Sequence, residues 1–237
     1  MFGMSKEVTS AQINDATQTR FVPDSEKKPD LPEKKFYCTK PFEQVQLLEN
    51  GKMIPCCPPW INHYTIGNIK KQSYEEIWNG EKAQEFRKSI LDGSFKYCNE
   101  NLCPHLQNVH SKPNVGSIES APVVRKMKDI ELLYEERGEY HRNIIENQLT
   151  KLKLAPDVMK MDYDRSCNLS CPSCRIELIT PRGKEFELIE KIQNSVIKVI
   201  QEGTRKLYIT GTGDPFGSAT LRKFLLNFKK KDFPSVK

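Results

Sequence analysis

From Val158 onward the chain alternates between the strand period and the helix period, and this limits the folds open to it more than any other feature. Val158 to Tyr163 is strand-like, and Leu188, Ile189, Ile192, Val196, Val199 and Ile200 then recur at helical spacing until Gly203. Leu207 to Thr210 returns to strand character, and Leu221, Phe224, Leu225 and Phe228 mark a second helix. Strands alternating with helices imply parallel pairing with right-handed crossovers, so the predicted class is α/β. In such sheets and barrels ligands gather where the strands end at their carboxyl edge. The two loops that leave these two strands are therefore the places to look for chemistry.

The first loop carries Cys167, Cys171 and Cys174 as a Cys-x₃-Cys-x₂-Cys run. Three thiolates in so short a stretch can grip one face of an iron–sulfur cube while leaving its fourth iron without a protein ligand. A closed structural zinc site needs four nitrogen or sulfur ligands. The last histidine is His141, and neither Cys nor His follows Cys174, so the local sequence offers no fourth partner. Such a trio suits a site that holds something other than protein, with a zinc knuckle as the competing reading. The second loop reads Gly211-Thr212-Gly213-Asp214-Pro215-Phe216. Glycines at 211 and 213 let backbone approach a ligand with no Cβ in the way, although a plain strand-to-helix turn uses the same residues.

The stretch CNLSCPSCR resembles the signature of radical S-adenosylmethionine enzymes. That resemblance implies a (β/α) barrel, of which about two βα units are present, and a [4Fe–4S] cluster on Cys167, Cys171 and Cys174. It implies that S-adenosylmethionine chelates the open iron and that its reductive cleavage yields a 5′-deoxyadenosyl radical, chemistry that belongs to the cofactor. Ser173 departs from the family, which often has a bulky residue there; this alters packing near the adenine and removes no ligand. The second loop resembles the family's Gly-Gly-Glu motif. The resemblance gives Gly211 and Gly213 a part in seating S-adenosylmethionine, with Asp214 standing in for the acid one place later. It further implies an electron donor such as a flavodoxin or ferredoxin, and peptide or protein modification as one possible outcome among small-molecule alternatives.

A second sulfur set lies earlier. Val45 and Leu47 alternate with polar neighbours, Asn50-Gly51 predicts a type I′ hairpin turn, and Met53 and Ile54 return. Ser73 with Glu76 predicts a capping box, and Ala83, Phe86, Ile90 and Leu91 predict a helix stopping near Gly93. Cys38, twelve residues, Gly51, four residues and Cys56, followed by Cys98 and Cys103, resembles the SPASM and Twitch modules that bind auxiliary [4Fe–4S] clusters. One cluster on Cys38, Cys56, Cys98 and Cys103 follows from that resemblance. Two features depart from it: four residues, not two, separate the closing pair, and the module precedes the barrel instead of following it. Cys57 adjoins Cys56, and neighbouring strand side chains point opposite ways, so either could be the ligand. A Cys₄ zinc site in an interaction protein satisfies the same residues. His105 is read as a surface residue or a donor to a cluster sulfur, and Trp60 and Trp78 as core packing.

The expected organisation is a disordered polar tail over 1–34, the iron–sulfur module over 35–107, a linker with helices over 108–155, and the start of a barrel over 156–237. Within the third segment, 108–128 is expected to be irregular and Ile130 to Leu152 helical with a break at Gly138. Eight cysteines without an export signal read as metal ligands in a reducing cytoplasm. No apolar run approaches a membrane span. The net charge of +6 is modest and its densest run, Lys229-Lys230-Lys231, falls at a predicted helix end where the macrodipole favours it, which argues against nucleic-acid binding. Two parallel strands cannot cover both faces of a sheet, and the outer one would keep an open edge, so the chain is expected to be a truncated part of a longer enzyme.

Overall fold

The structure is a computed structural model, and it describes residues 36–110, 124–128, 137–174, 177–209 and 212–237. The expected disordered tail, residues 111–123 and 129–136 of the expected linker and its helix, and Thr210 and Gly211 of the second loop lie outside the described residues.

The described elements run β1 (Phe36–Cys38), α1 (Lys40–Glu43), β2 (Gln44–Leu48), β3 (Lys52–Ile54), β4 (Gly67–Asn68), α2 (Tyr74–Trp78), α3 (Glu81–Leu91), α4 (Pro104–His110), β5 (Val124–Lys126), α5 (Gly138–Glu146), β6 (Val158–Asp162), α6 (Lys184–Gln201), β7 (Lys206–Tyr208) and α7 (Ala219–Leu226). They form a mixed α/β fold around a five-stranded sheet of order β4-β3-β2-β6-β7, with β1 and β5 paired separately. β2, β6 and β7 run parallel, while β3 and β4 are antiparallel to their neighbours.

The predicted βα units are present, but their setting differs from the expectation of two unaccompanied parallel strands. β2, from the cysteine-rich half, pairs along its whole length with β6, Gln44 opposite Val158 and Leu48 opposite Asp162. The strand before the Cys167 loop is therefore interior to the sheet. Its Met159 and Met161, with Val45 and Leu47 of β2, are essentially fully buried and share one core with Ile192, Val196 and Ile200 of α6. This is the period-two burial a central strand requires against a covering helix. Among the described residues no helix is long and apolar enough to cross a membrane.

Three local expectations need correction. The Asn50-Gly51 hairpin does not use a type I′ turn, which needs both central residues at positive φ. Only Gly51 has positive φ (78°), and its N–H donates to the Leu48 carbonyl at 2.8 Å, closing a three-residue loop with glycine in the left-handed position. Residues 124–126, read as irregular, are strand β5, because the edge of β1 has backbone groups to satisfy: Cys38 pairs with Val124. The helix expected through Leu152 ends at Glu146, and Gln148 takes φ 50° just beyond it. The carbonyls of Thr150, Leu152 and Leu154 then accept from Arg87, Asn79 and Trp78, side-chain partners that keep this segment extended. The Ser73–Glu76 capping box is present in both directions.

Candidate metal centres

The first sulfur set is assembled from four separate pieces of chain. Cys38 ends β1, and the β2–β3 hairpin returns the chain to Cys56. Cys98 is held by an antiparallel bridge to Ile61, and the Asn99 N–H donates to the Trp60 carbonyl at 2.9 Å. Asn99 also accepts, through its carbonyl, the N–H of Cys103 at 2.9 Å, so Cys103 enters α4 from a fixed turn. Cys38, Cys56, Cys98 and Cys103 all line one small cavity, closed by Trp60, Phe86 and other apolar side chains. Cys57 does not line it; its carbonyl accepts from the Trp60 N–H at 3.0 Å at the start of a 3₁₀ turn. His105 lines the cavity with its ring edge-on to Trp60, centroids 5.1 Å apart. Trp78 is core packing as expected, at 2 % exposure, and the half-buried Trp60 packs against the same core while also lining the sulfur cavity.

The electrostatics of this cavity favour metal-bound sulfur over free thiolate. Burial pushes the Cys38 thiol well up, and the neighbouring thiols Cys56 and Cys98 push it further. Burial likewise pushes Cys56 up to about 12 and Cys98 up to about 12. Left alone these groups stay protonated, and only a bound cation makes several thiolates tolerable there. The backbone N–H groups of Lys40 and Cys57 donate to the sulfurs of Cys38 and Cys56, and the Lys40 ammonium stabilises both as anions. Hydrogen bonds to sulfur of this kind tune cluster potentials. The donor set thus fits an iron–sulfur cluster. The space within measures about 20 Å³, roughly that of one water molecule, so a cube would have to push the walls apart. Among the described residues no group of three or more His, Cys, Asp or Glu side chains is arranged to hold a metal ion.

The second set lies on the long loop after β6. Cys167 is buried and exchanges both backbone hydrogen bonds with Ile179, at 2.9 and 3.3 Å. That exchange pins the base of the loop. Cys171 and Cys174 are exposed, joined by a turn in which the Cys174 N–H donates to the Cys171 carbonyl at 2.9 Å. Leu169, Leu178 and Phe216 leave exposed apolar surface on this loop and its neighbour.

The loop after β7 is wedged against the base of the cysteine loop, backbone to backbone. A Cβ on Gly213 would stand 2.5 Å from the Ser166 carbonyl oxygen and 2.7 Å from that of Asp164. The open side of Gly213 therefore admits the cysteine loop. Asp214 donates its N–H to the Ser166 carbonyl at 2.8 Å, and its carboxylate accepts the Phe216 N–H at 3.0 Å. Gly213→Ala should cost about 1–3 kcal/mol by overpacking and speed hydrogen exchange at Ser166 to Asn168. Unchanged melting and exchange would show that the wedge is loose.

Two residues that sequence reasoning passed over hold this wedge together. Gly217 lies against Cys167 itself: an added Cβ would stand 2.8 Å from the Asn168 nitrogen and 3.0 Å from the Cys167 Cα. Asp164, buried at 5 % exposure, accepts from the Ser166 N–H (2.8 Å) and hydroxyl with one oxygen, and from the Ser218 and Thr220 hydroxyls with the other. Ser218 in turn accepts the Leu221 N–H at 3.0 Å as the N-cap of α7. The signal for Gly217 was the third glycine of the run; for Asp164 no local pattern marks its partners fifty residues on.

Residues 38–104 match the sequence model of SPASM, an iron–sulfur cluster-binding domain. That domain is found in radical S-adenosylmethionine enzymes, and no radical S-adenosylmethionine core domain is matched. No curated protein and no solved structure matches the chain.

Proposed function

We propose that the chain is a radical S-adenosylmethionine enzyme, or a part of one, with one auxiliary iron–sulfur cluster, acting in a reducing cytoplasm. The observation that carries this reading is the Cys-x₃-Cys-x₂-Cys loop at the carboxyl end of a parallel strand, pinned by the glycine loop of the adjoining strand. Its company with a SPASM-matched segment supports it. Cys167, Cys171 and Cys174 would hold a [4Fe–4S] cluster. Bound there, it supplies the electron that cleaves S-adenosylmethionine to a 5′-deoxyadenosyl radical.

The protein's own residues position and shield. Cys167 anchors the loop base, while the exposed Cys171 and Cys174 leave the outer side of the trio accessible to a small cofactor. Gly213 and Gly217 bring the second loop against the first, and Gly211, Gly213 and Asp214 would meet the methionine end of the cofactor. Cys38, Cys56, Cys98 and Cys103 would hold the auxiliary cluster with all four positions filled, which suits electron relay better than substrate binding. The reductant would be a flavodoxin or ferredoxin, and the substrate class includes peptides and proteins.

The test is anaerobic reconstitution with iron and sulfide, reduction with dithionite, and assay of 5′-deoxyadenosine. Wild type should release it. The Cys167→Ala, Cys171→Ala, Cys174→Ala triple variant should release none, yet keep the iron of the other site. If added S-adenosylmethionine leaves the cluster's electron paramagnetic resonance signal unchanged, the enzyme reading fails. One observation favours a second reading: a cavity of about 20 Å³ suits a single ion more readily than a cube. A zinc-binding interaction protein would purify colourless, with zinc and no sulfide.

A further inference from the structure

We propose that Cys171 and Cys174 are a redox-modification site: when the trio holds no metal, their two thiols close into a reversible disulfide of their own and leave Cys167 as a thiol. The proposal is the same whether the trio's metal is an iron–sulfur cluster or zinc, so it does not rest on the reading above.

The backbone already holds the two residues at bridging range. Residues 171–174 form a hydrogen-bonded turn in which the Cys174 N–H donates to the Cys171 carbonyl at 2.9 Å. Such a turn keeps its end Cα atoms within about 7 Å, and a disulfide spans Cα separations of about 4.4–6.8 Å. Pro172 takes the second place of the turn, where its ring presets the backbone angle. Closing so short a ring from a preset turn costs little chain entropy. Pro172 and Ser173 are exposed, as are both cysteines, so the rotation that joins the sulfurs moves surface side chains and disturbs no core.

Access singles out this pair. Of the chain's eight cysteines only Cys171 and Cys174 are exposed, and a dissolved oxidant needs that exposure. Cys167 is buried, its backbone exchanges two hydrogen bonds with Ile179, and Gly217 lies against its Cα. The four cysteines of the other set line a small cavity. There burial pushes the Cys38 thiol well up and those of Cys56 and Cys98 up to about 12, which leaves little of the reactive thiolate.

The oxidant is a low-molecular-weight disulfide such as oxidised glutathione. One cysteine thiolate attacks it, forming a mixed disulfide and expelling one glutathione thiolate. The second cysteine thiolate attacks the mixed disulfide, forming the Cys171–Cys174 bond and expelling the other. Two cysteine thiols are oxidised, one glutathione disulfide is reduced to two thiols, and the cysteine protons end on those thiols. The bond takes two sulfurs out of metal binding and keeps them from oxidation to sulfinic acid until a dithiol reductant reopens it.

The test uses the full chain, stripped of metal with a chelator under anaerobic conditions, treated with oxidised glutathione and then alkylated with N-ethylmaleimide. Trypsin releases Ser166–Arg175, which carries all three cysteines of the loop. Wild type should give this peptide two hydrogens lighter and with one maleimide label, placed on Cys167 by fragmentation. Dithiothreitol before alkylation should restore three labels. Cys174→Ser should stop at a glutathione adduct on Cys171, and Cys167→Ser should still close the bond. Lasting glutathione adducts on both exposed cysteines of wild type, a bond that uses Cys167, or three labels after oxidation would each overturn the proposal.

Discussion

Stripping the metal from the anaerobically purified chain should lower its stability by about 4 kcal/mol, the contribution of a ligand held a thousandfold above its dissociation constant. The reason is that Cys38, Cys56, Cys98 and Cys103 come from β1, the hairpin, the turn after α3 and the start of α4. A metal group at their centre would cross-link four pieces of chain that otherwise meet through side-chain packing and a few backbone hydrogen bonds. It would also relieve the cavity of thiols whose ionisation burial opposes. Urea melts with and without chelator, with iron, zinc and sulfide analysis of each sample, measure the loss. Cys38→Ser should reproduce it and Cys57→Ser should not, because Cys57 lies outside the cavity wall. Identical behaviour of the two variants would move the ligand set; identical melts of loaded and stripped protein would remove the site.

Asp164→Ala should destabilise the chain by roughly 3–5 kcal/mol, since several buried donors would lose their acceptor together. The Ser166 N–H and the hydroxyls of Ser166, Ser218 and Thr220 all converge on that carboxylate. Because the carboxylate bridges the cysteine loop to the N-cap of α7, the change should also loosen Cys167. Asp164→Asn keeps one acceptor oxygen, and the hydroxyls can turn to accept from its amide, so a smaller loss is expected. Thermal melting of both variants, with iron retention at the Cys167 loop, distinguishes this from a general surface effect. A wild-type melt for the alanine variant would mean that the hub is incidental.

How far the site could be read without coordinates varies with the range of the interaction involved. The Ser73–Glu76 box was legible because both partners lie within one helical turn, and it is present. The α6 stripe was legible for the same reason, as residues three and four apart share a face. The hairpin was legible in position but not in turn type, since Asn-Gly permits a type I′ turn without requiring it. Nothing local announced that β2 would lie beside β6, or that residues 124–126 would complete β1. A strand's sequence declares that it wants a neighbour, not which one.

The order of residue types alone determined the chemistry on offer: two sets of cysteines, their spacing, the glycines after β7, and the α/β class. Only the tertiary structure decided that four distant thiols face one cavity while Cys57 does not, that Gly213 and Gly217 admit backbone at the foot of the cysteine loop, and that Arg87 is buried against Trp78 with backbone carbonyls as its acceptors. The division has a physical cause. Periodicity and caps arise between neighbours a few residues apart, whereas burial and long-range pairing depend on which surfaces remain uncovered once those elements exist.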